Sequence, residues 1–245
     1  MTLPEPIATE LRELQLTPEA FENAPGVAIR LPGDEAFGVW RRLARVCRGN
    51  GFWPVILGEA QNIERLAEAA EFVEDNSPAQ TLAYAATLDV DAELTGDAEM
   101  NDVEPDVGEW PDEDEIERNT TPLAVADVST GETYDEVVIA IIEAEHSWQV
   151  PAFLQYGNWN DCPEPALHVA RHRDWHERFG SDICSVTADT IECVVTRPPI
   201  NREDAMELAQ EQYVYCYDIV EQGTQTLRNL AAVLVGSPLW FFWWD

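Results

Sequence analysis

The chain has 245 residues, enough for one large domain or two small ones, and its 45% hydrophobic content can supply a sizeable core. Its 47 acidic residues face 14 basic ones, all arginine, for a formal net charge of -33; a surface this negative repels nucleic-acid phosphate and anionic lipid. Apolar runs such as Val137 to Ile142 fall far short of the roughly 20 residues of a spanning helix, and MTLPEPIATELRE has neither the basic start nor the apolar stretch of a secretory signal, so a cytoplasmic location is expected.

Residues 1–70 read as an N-terminal α/β lobe. Thr17-Pro18 predicts a helix start, with proline at the first helical position. GVAIRL (26–31) predicts a strand. Beyond Gly33-Asp34, the residues Phe37, Trp40, Leu43 and Ala44 recur at helical spacing, and GNG (49–51) stops that helix. FWPVILG (52–58) is a buried strand bounded by turn residues, which completes a βαβ unit.

Residues 71–133 change character. Between Asp89 and Glu117 stand 14 acidic residues and no basic one, densest in WPDEDEIE (110–117), so an acidic, partly flexible insert is expected. DVDAE (89–93) alternates carboxylates. However, Leu94 stands where a calcium loop needs glycine and Met100 where it needs a bidentate Glu, so no calcium site is assigned.

Residues 134–245 read as a second α+β unit. VVIAII (137–142) is a central strand, and Pro165 to Phe179 a helix ended by Gly180. ICSVT (183–187) and TIECVVT (190–196) flank Ala188-Asp189; a two-residue turn there sets Cys184 opposite Cys193. Those two read as packed thiols, and all five cysteines as free, being odd in number with no CxxC. Asn201 caps a long helix over 202–221, broken by Gly223. TQTLRNLAAVLVG (224–236) is a further helix and LWFFWW (239–244) the last strand. The fold class is α+β, a mixed sheet with helices packed on it. The C-terminal βαββααβ is compatible with a ferredoxin-like split βαβ plus an extra helix, and the N-terminal βαβ either extends the same sheet or forms a smaller lobe. Alternation sends Trp240, Phe242 and Trp244 to one side of the last strand and Leu239, Phe241 and Trp243 to the other; both are apolar, so helices should cover both.

Chemistry-bearing residues concentrate in this second unit. His168, His172 and His176 recur every four residues along one side of a helix, with Cys162 upstream. His168 and His172 are the candidate metal ligands, but HExxH and a second ligand pair are missing, so no metal or cofactor is assigned. Cys162 with His176 is a candidate nucleophile and base, with Asp218 as the carboxylate. On the long helix, Glu211, Tyr215, Asp218 and Gln222 form a polar stripe beside a core stripe of Ala205, Leu208, Ala209, Gln212, Cys216 and Ile219. With Trp159 and Asn160, the polar stripe supplies the candidate binding residues. Phosphate-loop, GxSxG and kinase patterns are missing, and Val194 stands where a nuclease ExK built on Glu192 needs lysine.

Six aromatic-rich pieces in order, WQVPAFL (148–154), GNWNDCP (157–163), DWHERFG (174–180), RPP (197–199), EQYVYCYDIVEQG (211–223) and LWFFWWD (239–245), make residues 137–245 resemble the bacterial domain of unknown function DUF4253. LPGDEAFGVWRRL (31–43) and GFWPVILG (51–58) carry a weaker likeness. Arg171, His172, Cys184 and Cys193 depart from the pattern, which argues against a family-wide metal or redox role for them. The resemblance implies no established activity. Two functions are therefore expected: a non-enzymatic binding protein of immunity or inhibitor type with a basic protein partner, or a hydrolase using the Cys162, His176 and Asp218 set or a zinc-assisted site.

Overall fold

The computed structural model describes residues 2–71, 73, 77–96 and 104–245, and the backbone alone over 97–100. The side chains of Asp97, Glu99, Met100 and Asp102, which enter the acidic count and the calcium comparison, lie outside the described residues. The fold is α+β, built on a mixed seven-stranded sheet.

The chain opens with α1 (Glu5–Glu13) and a two-residue strand, β1 (Glu19–Ala20). The expected helix start at Thr17-Pro18 is therefore corrected. Pro4 and Pro6 offer the same start signal farther upstream, and there Ile7 and Leu11 give a buried i,i+4 pair. Beyond Pro18 the chain is extended and pairs Glu19 and Ala20 with Ala28 and Val27. The expected elements β2 (Gly26–Leu31), α2 (Gly33–Cys47) and β3 (Trp53–Gly58) follow, then α3 (Ala60–Ala70), α4 (Pro78–Ala85) and α5 (Val90–Met100). The second half contributes β4 (Val137–Ile142), α6 (Val150–Leu154), α7 (Pro165–Phe179), β5 (Ser181–Val186), β6 (Thr190–Val195), α8 (Arg202–Tyr215), a π-helical turn (Ile219–Thr224), α9 (Leu227–Leu234) and β7 (Leu239–Trp243).

Strand order is β1-β2-β4-β3-β5-β6-β7, and β3–β5 is the parallel pair among otherwise antiparallel neighbours. Because β4 is antiparallel to both β2 and β3, those two strands run parallel, and β4 fills the slot between them. The split βαβ is thus β2-α2-β3, not a C-terminal unit: β4 and β5 run antiparallel on either side of β3, so α7 is no parallel crossover. The N-terminal strands extend the same sheet. Gly26 is required at this junction, since a Cβ there would meet the Ile141 carbonyl oxygen at 2.4 Å. β3 carries Pro54 in a central position, where a ladder donor is lost. Beside it the Trp53 indole donates to Ile183 O at 2.8 Å, and the Pro54 carbonyl accepts from Trp40 Nε1 at 2.9 Å.

In the hairpin, Val186 pairs with Ile191 and Ser185 with Glu192 as expected, but Cys193 then pairs with Ile183. Cys184 is the extra residue of a β-bulge, so the expected cross-strand cysteine pair is not formed; its thiol donates to Glu192 O at 3.3 Å. All five cysteines are free and buried. The acidic segment also differs from a loose insert. Its described stretch 104–118 is fastened along α8 and α9: Asp106 O and Val107 O accept from the backbone of Leu227 and Arg228, and the Arg202 guanidinium lies 4.4 Å from the Trp110 ring centroid. Arg118 donates to Ala232 O and Val233 O. No helix among the described residues is long and apolar enough to cross a membrane.

β7 is buried on one face and partly covered on the other, where Phe241 and Trp243 are half-buried. Trp240, Phe242 and Trp244 pack toward α7 and α8; Trp175 stacks on Phe242 with centroids 5.2 Å apart. Leu239, Phe241 and Trp243 face α9 and the π-turn. Phe242→Ala should therefore destabilise the protein by about 3–5 kcal/mol, read as a lower urea midpoint at unchanged slope.

Candidate functional site

The most concentrated chemistry lies where α7 and the C-terminal end of α8 meet above β7. Pro165 starts α7 at a helix-compatible position, and Gly180, in the left-handed region (φ 60°), ends it. One side of α7 then presents His168, His172 and Trp175 to the interior, all buried. From α8, Tyr215 projects between the two imidazoles. Its hydroxyl lies 2.5 Å from His168 Nδ1 and 2.9 Å from His172 Nε2. Cys162 Sγ sits 3.4 Å from His168 Nε2, and Cys193 Sγ 3.7 Å from His172 Nδ1. The result is a buried chain: Cys162, His168, Tyr215, His172, Cys193.

Burial sets the protonation of this chain. Desolvation drives His168 well below the ordinary histidine value, with the neighbouring His172 adding to it. Desolvation, then the nearby Arg171 cation, lowers His172 to about 3. The same burial pushes the Cys162 and Cys193 thiols and the Tyr215 phenol upward. Every member is therefore neutral near pH 7, and the chain is held by hydrogen bonds between neutral groups.

The outer end of the chain opens on the loop 156–163. Gly157, Asn158 and Asn160 all have positive φ (115°, 71° and 45°). At Gly157 a Cβ would lie 2.0 Å from Pro163 O, so only glycine fits. Several such residues within one short loop mark stored strain, a feature that clusters at functional sites. Asn160 Nδ2 donates to Asp245 O at 2.5 Å, and Trp159 is half-buried with its ring edge-on to Tyr156. A polar cavity of about 400 Å³ lies outside this loop, lined by Cys162, Asp161, Tyr213, Tyr215 and Tyr217 among others.

The other sequence-derived residues are distributed elsewhere. His176 does not face Cys162: Cys162 contacts His168, and eight helical residues separate His168 from His176, about 12 Å along the axis. His176 Nδ1 instead lies 3.0 Å from Asp182 Oδ1, and that bond raises its pKa. Asp182 also accepts from Ser147 Oγ at 2.8 Å and Arg48 at 2.7 Å. Asp218 lies beyond the end of α8, accepting from Gln222 Nε2 and from the Asp245 backbone. Glu211 takes both guanidinium ends of Arg178 at 2.7 Å and the Trp175 indole at 3.0 Å. The expected single stripe of Glu211, Tyr215, Asp218 and Gln222 does not exist as one helix face. α8 stops at Tyr215, and Cys216 turns out of helix (φ -154°, ψ 85°) to donate its thiol to Trp243 O at 3.0 Å. Among the described residues no group of three His, Cys, Asp or Glu side chains is placed to hold a metal ion.

Residues that the sequence did not assign to a site complete these clusters. Arg171 is fully buried, paired with Asp91, with Asp174 at 3.4 Å and with Glu211 at 3.6 Å. Glu192 is buried and accepts from the backbone of Leu123 and Ala124 and from Ser185 Oγ. The signal for Arg171 was its place on the apolar side of a helix; Asp182 and Glu192 had none beyond lying in strands.

A family model matches residues 138–245: the domain of unknown function DUF4253. The C-terminal part of the chain is thus similar to this family. No curated protein and no solved structure matches the chain. The DUF4253 match contains β4, α7, the hairpin, α8, α9 and β7, hence every member of the Cys162 to Cys193 chain and the strained loop. β3, which the match leaves out, is inserted into the middle of its sheet.

The buried histidines make a pH prediction. A histidine whose folded pKa lies below its unfolded value supports the fold above the unfolded pKa; that support is lost as pH falls toward the folded one. For His172 the window runs from about 6.5 down to about 3. His176, with its raised pKa, acts in the opposite sense, its support fading as pH rises through the folded value. His172→Phe should cost stability at pH 7, and the gap to wild type should shrink as pH drops from 6.5 to 4.5, by up to about 1.4 kcal/mol per unit. Paired urea titrations across that range check it; a constant gap contradicts it.

Proposed function

We propose that the chain is a non-enzymatic protein-binding module, of immunity or inhibitor type, that takes a basic protein partner. The observation that supports this reading is the strapped acidic segment. Glu104, Asp106, Glu109, Asp112, Glu113, Asp114, Glu115 and Glu117 are exposed, while the backbone and arginine contacts of residues 106–118 hold the strip against α8 and α9. A fixed row of carboxylates costs less ordering on association than a disordered tail, and it steers an oppositely charged partner. The same field disfavours nucleic acid.

The hydrolase set Cys162, His176 and Asp218 does not come together, and the contact that Cys162 makes instead is with His168. A cysteine nucleophile needs thiolate and imidazolium, yet burial moves the thiol up and the imidazole down, so both halves of that ion pair are opposed. The electrostatics therefore favour binding over catalysis.

Affinity capture from the host extract at low salt should recover a basic protein. Its association rate should fall about tenfold or more from 50 to 500 mM salt. Replacing Asp112, Glu113, Asp114 and Glu115 with Asn or Gln should slow association and leave dissociation nearly unchanged. Recovery of no basic protein, or binding indifferent to salt, contradicts the reading.

A further inference from the structure

On the face of β7 away from α7, a cavity of about 230 Å³ lies between the strand, α9 and the π-helical turn. Ile219, Leu230, Leu234, Leu239, Phe241 and Trp243 make most of its wall apolar. Four buried polar residues also line it, Glu192, Asp218, Gln212 and Ser237, together with the buried Trp240. The two carboxylates are already engaged, Glu192 by three donors and Asp218 by Gln222 and the Asp245 backbone. Ser237 Oγ donates to Leu239 O at 2.6 Å. Gln212 is not engaged: it is 1% exposed, and its Nε2, like the indole nitrogen of Trp240, which also lines the cavity, has no hydrogen-bond partner among the described residues. A buried amide donor without an acceptor is unfavourable and rare in folded proteins. An apolar pocket with a few placed polar groups is the usual form of a small-ligand site.

We propose that this cavity binds a small, neutral, largely apolar molecule through a carbonyl oxygen that accepts a hydrogen bond from Gln212 Nε2. Both unmet groups, the Gln212 amide and the Trp240 indole, are donors, so the ligand must bring the acceptor. An anion would sit beside Asp218 and Glu192, and a cation would find both carboxylates taken. The volume lies below that of drug-sized pockets, which restricts the ligand to a single ring or a short acyl group.

The test titrates the full chain with acetophenone, and with ethylbenzene as the match in shape that lacks the oxygen. The Trp243 indole N–H is followed by NMR, assigned through Trp243→Phe. Acetophenone should saturate and bind about three- to tenfold more tightly than ethylbenzene. Gln212→Leu should bring acetophenone to the ethylbenzene level and leave ethylbenzene unchanged. Val233→Phe, which fills the cavity from α9, should remove both; it keeps the site testable if Gln212→Leu fails to fold. Saturation by neither probe, a preference that survives Gln212→Leu, or binding that survives Val233→Phe would overturn the proposal.

Discussion

The stacking of β7 on α7 is the contact on which the rest of the second half depends. Trp175 lies nearly parallel to Phe242, at 8°, and Tyr215 meets Phe242 edge-on at 5.1 Å. Offset and edge-to-face pairs of this kind add specific geometry to a large buried area. Once Tyr215 is clamped between Phe242, Trp244 and the two imidazoles, α8 cannot rotate and its hydroxyl has one place to go. The hydrogen bonds from Cys162 through to Cys193 are a consequence of that packing. Without the aromatic layer, two histidines on one buried helix face would lack an acceptor and be costly.

The same layer separates two electrostatic regimes. Inside, burial suppresses charge, so thiols, imidazoles and the phenol stay neutral. The buried cation Arg171 is matched by carboxylates from α5, α7 and α8, and the buried Asp182, Glu192 and Asp218 are each held by donors. Outside, the charge of -33 is left to act at long range. Asp91 shows that part of this acidity is also structural, since it pairs with Arg171 and ties α5 to α7; the stretch 104–118 is held to α8 and α9 by its backbone, Trp110 and Arg118. An acidic exterior and a hydrogen-bonded interior are thus two outcomes of one arrangement.

β4 couples the two halves of the chain. It fills the slot between β2 and β3, with Gly26 allowing the close approach. Residues from both halves therefore share one core, in which Trp53 of β3 donates across to Ile183 of β5. The bulge at Cys184 has a comparable role on a smaller scale. By adding one residue it shifts Cys193 opposite Ile183, with its sulfur 3.7 Å from His172 Nδ1.

Local pattern alone determined most elements. The alternation and apolar runs of β2, β3, β4 and β7, the helical spacing in α2 and α7, and the cap at Asn201 are properties of neighbouring residues, and they read correctly from the amino-acid order. So did the burial of Trp240, Phe242 and Trp244. The rest depended on residues far apart in the chain. Which of two proline-marked starts makes a helix was decided by what Ile7 and Leu11 pack against. Where α8 stops was decided by Cys216 meeting Trp243, and which histidine meets Cys162 by the turn of the 156–163 loop. Strand order, the bulge, the engaged carboxylates and the unmet Gln212 donor likewise exist only once distant segments are brought together. Periodicity reports which face of an element is apolar; it carries no information about which partner will cover that face.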